Sequence, residues 1–223
     1  MMRIPSSLIA LALAATACAP ALAAESVFDA PVAAEKAKEK GLQTAIFAGG
    51  CFWGIEAIFS HTKGVTSAVS GYHGGDAKGA SYKLVSSGLT NHAESVRVTY
   101  DPSVVRYDQL LQILFSVGAD PTLRNRQGPD VGAHYRAAVV PLTAEQRKVA
   151  AAYLKQMSAS KVWDKPIVVQ LEKAQKFYPA EDYHQDFADK NPDHGYILRW
   201  DAPKVRALKA KFPALYRASF RTG

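Results

Sequence analysis

Cys51 is the residue that most needs a chemical explanation. The chain holds two cysteines, Cys18 and Cys51. Cys18 lies in an apolar leader, so the folded body has one thiol and no internal disulfide framework. Cys51 follows Gly49-Gly50 and opens a stretch with Phe52, Ile55, Ile58 and Phe59 at helical spacing. The free N–H groups and positive dipole end of a helix start favour a thiolate, so this placement predicts a lowered thiol pKa and a nucleophile. The glycines allow a sharp turn and close approach of a substrate. The alternative is an inert core cysteine. Phe52 and Trp53 could cage a methyl or thioether group, or simply pack in the core.

Glu94 is the second informative residue. By period two it shares a face with Val96, Val98 and Tyr100. A carboxyl on an apolar, core-facing side is costly to ionise and becomes a proton donor near neutral pH. Equally, Glu94 could be a solvated residue at the strand's end. Tyr72, Tyr82 and Tyr135 could donate hydrogen bonds to a polar oxygen without carrying charge, with Asp130 beside them. Most of the ten tyrosines must be structural. The six histidines show no ligand spacing, so no metal site is expected, and no phosphate loop is present.

These residues need a scaffold. Thr44–Ala48 reads as a buried strand, Cys51–Ser60 as a helix, and Val65–Ser70 as a strand ahead of a loop at Gly71–Gly75. Glu94–Tyr100 alternates as a strand, and Asp101-Pro102 ends it. Tyr107, Leu110, Leu111, Leu114 and Phe115 predict an amphipathic helix. Tyr135–Val140 and Ile167–Leu171 read as strands. Thr143–Ser160 reads as a helix capped by Thr143, and Ala180–Lys190 and Lys204–Lys211 as helices. The order predicts an α+β fold, a two-layer sandwich with a mixed or antiparallel, ferredoxin-like sheet and flanking helices. The reading does not give the strand order.

Residues 1–23 read as a secretory signal, with Arg3, an apolar run at Leu8–Ala15 and an A-x-A site at Ala21-Leu22-Ala23. The run is shorter than the ~20 residues of a membrane span. Alternatively, residues 1–17 are a lipoprotein signal that leaves Cys18 as a lipid anchor. The expected location is exported, in the periplasm. Residues 24–43 read as a tail or short helix, 44–212 as the domain and 213–223 as a second tail. The formal charge of +7 falls by one with Arg3. Lys and Arg are spread along the chain without a nucleic-acid motif, so a solvated basic surface is expected. The stretch from Lys204 to Arg221 is read as a solvated helix face.

The run Gly50-Cys51-Phe52-Trp53-Gly54 resembles the signature of A-type peptide methionine sulfoxide reductases. Gly71-Tyr72-His73-Gly74-Gly75, Tyr82, Thr90-Asn91-His92-Ala93-Glu94 and Tyr100-Asp101-Pro102 follow in order. Arg126-Gln127-Gly128-Pro129-Asp130, His134-Tyr135-Arg136, Tyr183-His184-Gln185 and Lys190-Asn191-Pro192 complete the likeness, which spans about Thr44 to Pro192. The resemblance implies that Cys51 attacks the sulfur of the S epimer of methionine sulfoxide, free or in proteins. It implies Glu94 as proton donor, with Tyr82 and Tyr135 on the oxygen, Phe52 and Trp53 around the methyl group, and Asp130 on the polar side. No cofactor is implied; an external thiol such as thioredoxin or a glutaredoxin-like donor would recycle a sulfenic acid. A monomer without nucleic-acid partner or membrane span is expected. One departure stands out. Many members have a resolving cysteine after a Gly-Tyr pair near the end, but Gly195-Tyr196 is followed by Ile197. A rival reading, a cysteine hydrolase, needs a base beside Cys51 from His73, His92 or His184.

Overall fold

The computed structural model describes residues 27–222; the leader, its cleavage site and Cys18 lie outside the described residues. The elements run β1 (Gln43–Gly49), α1 (Phe52–Ser60), β2 (Val65–His73), α2 (Tyr82–Ser86), β3 (Ala93–Tyr100) and α3 (Tyr107–Ile113). Then come β4 (Arg126–Gln127), β5 (Asp130–Val131), β6 (Ala137–Val140), α4 (Ala144–Ala159), β7 (Gln170–Leu171), β8 (Tyr178–Pro179), α5 (Phe187–Lys190) and α6 (Ala202–Lys211).

Six strands form one sheet in the order β7-β6-β1-β3-β2-β8. The central four are mutually antiparallel, and β7 joins β6 in parallel. With α1 linking β1 to β2 and α3 between β3 and β6, this is a split βαβ, ferredoxin-like α+β sandwich. β1 lies between two partners and is buried from Ala45 onward, hence its unbroken apolar run. β3 alternates: Val96, Val98 and Tyr100 are buried, while Arg97 and Thr99 are half-exposed. Phe47 of β1 stacks on Phe59 at 5.0 Å and Tyr107 at 5.9 Å, seating α1 and α3 on the sheet. Burying such a ring contributes about 1.5–3 kcal/mol. The Thr143 hydroxyl accepts the Gln146 amide at 3.1 Å and caps α4.

Several expectations give way to tertiary hydrogen bonding. Within Ile167–Leu171 only Gln170–Leu171 pair, because the Val168 amide goes to the Pro121 carbonyl. Ala180–Lys190 is not one helix: a short 3-10 turn, Asp182–His184, precedes the single turn of α5. The break lies at Gln185, whose side chain bonds the Ser70 backbone, and Asp186, which sits at φ +55°. The apolar repeat of α3 runs on into a widened π-turn, Leu114–Gly118. Gly71–His73 belongs to β2 rather than to a loop.

Neither end of the described chain is a loose tail. Residues 27–42 form no helix but lie across α3 and α4. The Ala37 amide donates to Asp108 at 3.0 Å, the Lys38 amide to Glu145 at 2.9 Å, and Tyr153 to the Pro31 carbonyl at 2.8 Å. At the other end, Arg217 donates through Nε and Nη2 to the Ser60 carbonyl at 3.1 and 3.0 Å. A cation there answers the negative end of the α1 dipole. The expected solvated face beyond Lys204 is therefore corrected: Lys204 is buried and Arg217 is a helix cap. Among the described residues no helix is long and apolar enough to cross a membrane.

Candidate active site

The site is built on the turn from β1 into α1. Gly50 has φ +92°, and a Cβ there would stand 2.5 Å from the Gln127 Cβ, so glycine alone fits. Gln127 is fixed in turn, accepting the Asp120 amide and donating to the Asp120 carbonyl at 2.9 Å each. This turn delivers Cys51 to the N-cap of α1, buried, with its backbone outside the helix.

Glu94 settles between its two readings in favour of the core. It is 2% exposed, and its Oε2 accepts the Phe52 amide at 3.0 Å. Burial pushes its carboxyl up to about 8, with Asp130 and Asp201 adding to the rise and the Phe52 amide opposing it. Glu94 therefore carries a proton at neutral pH.

The thiol departs from expectation. Burial raises the Cys51 pKa well above the ordinary range, and the carboxyls of Glu94, Asp201 and Asp130 add to it. The Trp53 amide at the helix start pulls the other way but is outweighed. The dipole argument has the right sign and the wrong outcome, because desolvation and three acidic neighbours exceed one helix end. The resting residue is a protonated thiol.

The remaining candidates converge on the same space. Tyr82 opens α2, where its amide donates to Glu181 at 2.9 Å. Tyr135 lies in a 3-10 turn, Ala133–Tyr135, just before β6. Burial raises both phenols, and both sense charge on Glu94 and Cys51, so they stay neutral donors. Asp130 in β5 accepts a very short hydrogen bond from Tyr196, while burial holds its carboxyl above the usual range. Phe52 is buried between Tyr72 at 5.9 Å and His184 at 5.1 Å. The Trp53 ring stacks on Phe187 at 3.7 Å, meets Tyr196 edge-on at 5.8 Å, and donates to His184 Nδ1 at 3.1 Å. Tyr72 is different: its hydroxyl is spent on Glu181 at 2.8 Å.

Sequence reasoning missed four residues here: Tyr196, Glu181, His184 and Asp201. In the sequence Tyr196 stands only as the landmark before Ile197. Its signal was the Gly195-Tyr196 pair itself. His184 lies within a recognised run, but only the fold shows it touching Phe52, Trp53 and Tyr82. Asp201 carried no signal at all. The histidines do not supply a hydrolase base. His73 bonds Glu172, His92 bonds Gly75 and Asp76, and His184 bonds Trp53.

A buried thiol, a protonated carboxyl and two neutral phenols brought together suit transfer of oxygen from sulfur, with no charge to bury. Comparison with known proteins agrees. The family model for peptide methionine sulfoxide reductase matches residues 43–215. Peptide methionine sulfoxide reductase MsrA 2 of Mesorhizobium japonicum is 52% identical over 176 residues, 79% of this chain and 90% of the relative. A protein of the same name from Synechocystis is 49% identical over 78% of this chain and 81% of its own length. Among solved structures, reduced Mxr1 from Saccharomyces cerevisiae superposes with a TM-score of 0.64 at 31% identity, covering 70% of this chain and 90% of the other. Methionine sulfoxide reductase A of Corynebacterium diphtheriae gives 0.58 at 32% identity, over 69% of this chain and 77% of its own. A match across most of the chain, in sequence and in fold, places it in one family: this chain belongs to the peptide methionine sulfoxide reductases.

Proposed function

We propose that this reductase acts on the S epimer of methionine sulfoxide, free or in oxidised proteins, with Cys51 as nucleophile and Glu94 as acid. The observation that carries this is the protonated Glu94 carboxyl joined to the amide of Phe52, beside Cys51. The Cys51 sulfur attacks the sulfoxide sulfur while Glu94 protonates the oxygen, which Tyr82 and Tyr135 hold by hydrogen bonds. Phe52 and Trp53 enclose the methyl group, and Asp130, held by Tyr196, faces the polar side. The oxygen passes to Cys51 as a sulfenic acid, and methionine leaves reduced by two electrons. An incoming thiol then displaces water to form a mixed disulfide, and a second thiol releases Cys51 and a disulfide product. Thioredoxin or a glutaredoxin-like protein would serve as donor, because Ile197, where a resolving cysteine would stand, cannot. The chain acts after export to the periplasm, by signal cleavage or with Cys18 as a lipid anchor; the leader pattern supports this, and mass spectrometry of the native N-terminus tests it.

The decisive experiment is a single turnover without reductant on each sulfoxide epimer. One methionine per chain from the S epimer, with a dimedone-reactive Cys51, is the expected result. Two methionines per chain, or equal use of both epimers, refutes it.

A further inference from the structure

One short turn grips both halves of the site. Glu181 precedes the 3-10 turn Asp182–His184, and the His184 amide donates to the Glu181 carbonyl at 2.9 Å, so the two side chains leave one hydrogen-bonded unit. The Glu181 carboxyl accepts the Tyr82 amide at 2.9 Å through Oε1 and the Tyr72 hydroxyl at 2.8 Å through Oε2. Tyr82 opens α2 without a side-chain cap from Ser81, so Glu181 supplies the acceptor its free amide needs. Tyr72 in turn packs against Phe52 at 5.9 Å. From the other end of the turn, His184 Nδ1 accepts the Trp53 indole N–H at 3.1 Å. The His184 ring lies 4.4 Å from that of Tyr82 and 5.1 Å from that of Phe52.

The unit is itself anchored to β2. The Ala180 amide donates to the Ser70 carbonyl at 2.9 Å, and the Gln185 side chain bonds the Ser70 backbone in both directions at 3.0 Å. A sulfoxide sulfur carries a methyl group, a chain, an oxygen and a lone pair. With the methyl group and the chain held in place, exchanging epimers exchanges the oxygen and the lone pair. A site tells the epimers apart when its oxygen-binding phenols stand fixed against its methyl cage. Tyr82 comes from α2 and Trp53 from α1, and the Glu181–His184 unit holds them both.

We propose that Glu181 and His184 are positioning residues that set the epimer preference. They lock Tyr82 to the Phe52–Trp53 cage, so that the S epimer alone presents its oxygen to the phenols while its methyl group fills the cage. Both act through the side chains they hold. This rests on the reading above, in which Tyr82 holds the oxygen and Trp53 the methyl group.

The test is the ratio of kcat/KM for the resolved S and R epimers of dabsylated methionine sulfoxide, with the full chain and dithiothreitol as reductant. Partial unfolding lowers both rates by one factor, so the ratio reads geometry and not stability. Glu181→Ala cuts the links to Tyr82 and Tyr72 and should lower the S-to-R ratio about tenfold. His184→Phe keeps a ring but strands the indole N–H, and should lower the ratio about fivefold. Glu181→Gln can still accept the Tyr82 amide and donate to the Tyr72 oxygen, and His184→Asn still offers Trp53 an acceptor; both should stay within about twofold of the original ratio. An unchanged ratio in Glu181→Ala and His184→Phe overturns the proposal, as does an equal fall in the two conservative variants. Loss of the fold in both Glu181→Ala and His184→Phe also overturns it, since the turn would then serve packing alone. An unaltered chain that reduces both epimers alike sinks the proposed S-epimer reaction and this inference with it; a preference that every variant keeps sinks this inference alone.

Discussion

Glu94 is buried against α1 and Glu56 is buried within it, and burial pushes both carboxyls up to about 8. Glu94 reaches the first turn from β3 and accepts one amide, that of Phe52. Glu56 leaves the middle of the helix and accepts two, Ser70 at 3.3 Å and Asp186 at 3.0 Å. Glu94 shares its space with a thiol and two phenols. Glu56 is enclosed by the backbone of β2 and by the left-handed turn at Asp186. The two groups titrate alike and do different work. A raised carboxyl pKa reports burial; what the group faces decides whether the proton is available to a substrate.

The sharpest way to separate the two regions is to remove chemistry without removing packing. Cys51→Ser should abolish methionine formation with any reductant and leave the thermal midpoint nearly unchanged, as an activity assay beside a melting curve would show. Glu94→Gln keeps an acceptor for the Phe52 amide but loses the proton. Its single-turnover rate should fall about 10²-fold, the usual scale for a lost general acid, with little change in substrate affinity. An unchanged rate would make Glu94 as structural as Glu56.

Glu56→Ala reverses the pattern. It takes the carboxyl from the Asp186 amide, while the Ser70 amide keeps Gln185 Oε1 at 3.0 Å, and should cost about 1–3 kcal/mol of stability, read by urea unfolding, while the folded fraction keeps its reductive rate. A rate loss as large as that of Glu94→Gln would erase the distinction drawn above.

The pH dependence of stability tests both carboxyls together. Each binds its proton more tightly when folded than when unfolded. Their contribution is complete below the unfolded value near 4.5 and is lost as pH rises towards about 8. The thermal midpoint should therefore fall between pH 5 and 8, and Glu56→Gln or Glu94→Gln should each flatten that slope. Lys204, pushed down to about 7 by burial, works in the opposite sense above that pH, where stability rises. The smallest effect belongs far from both carboxyls. Thr143→Ala removes the α4 cap and should cost about 1 kcal/mol with no change in turnover.

Much of this molecule is written in local pattern. The strands at β1 and β3, the helices α1 and α4, the Thr143 cap and the left-handed turn at Gly50 follow from apolar period, capping chemistry and glycine. So does the sharing of one face by Glu94 and Val96, since side chains two apart on a strand point the same way. The ordered motifs around Cys51 likewise marked the family. These are properties of neighbours in sequence, and a single chain displays them.

Tertiary structure decided the rest, because electrostatics and hydrogen bonding act through space. The helix start at Cys51 argues for a thiolate, but burial, with carboxyls from three separate segments adding to it, holds the proton on sulfur. Ala180–Lys190 has helical composition, yet the Ser70 backbone claims Gln185 and the Glu56 carboxyl claims Asp186, and the helix breaks. Lys204 belongs to a basic run that reads as solvated until the fold seats it 3.8 Å from Asp201, beneath Gly54. Sequence determined which residues could do chemistry; the dielectric and the charges that set their protonation came from chain segments as much as 150 residues away, brought together only by folding.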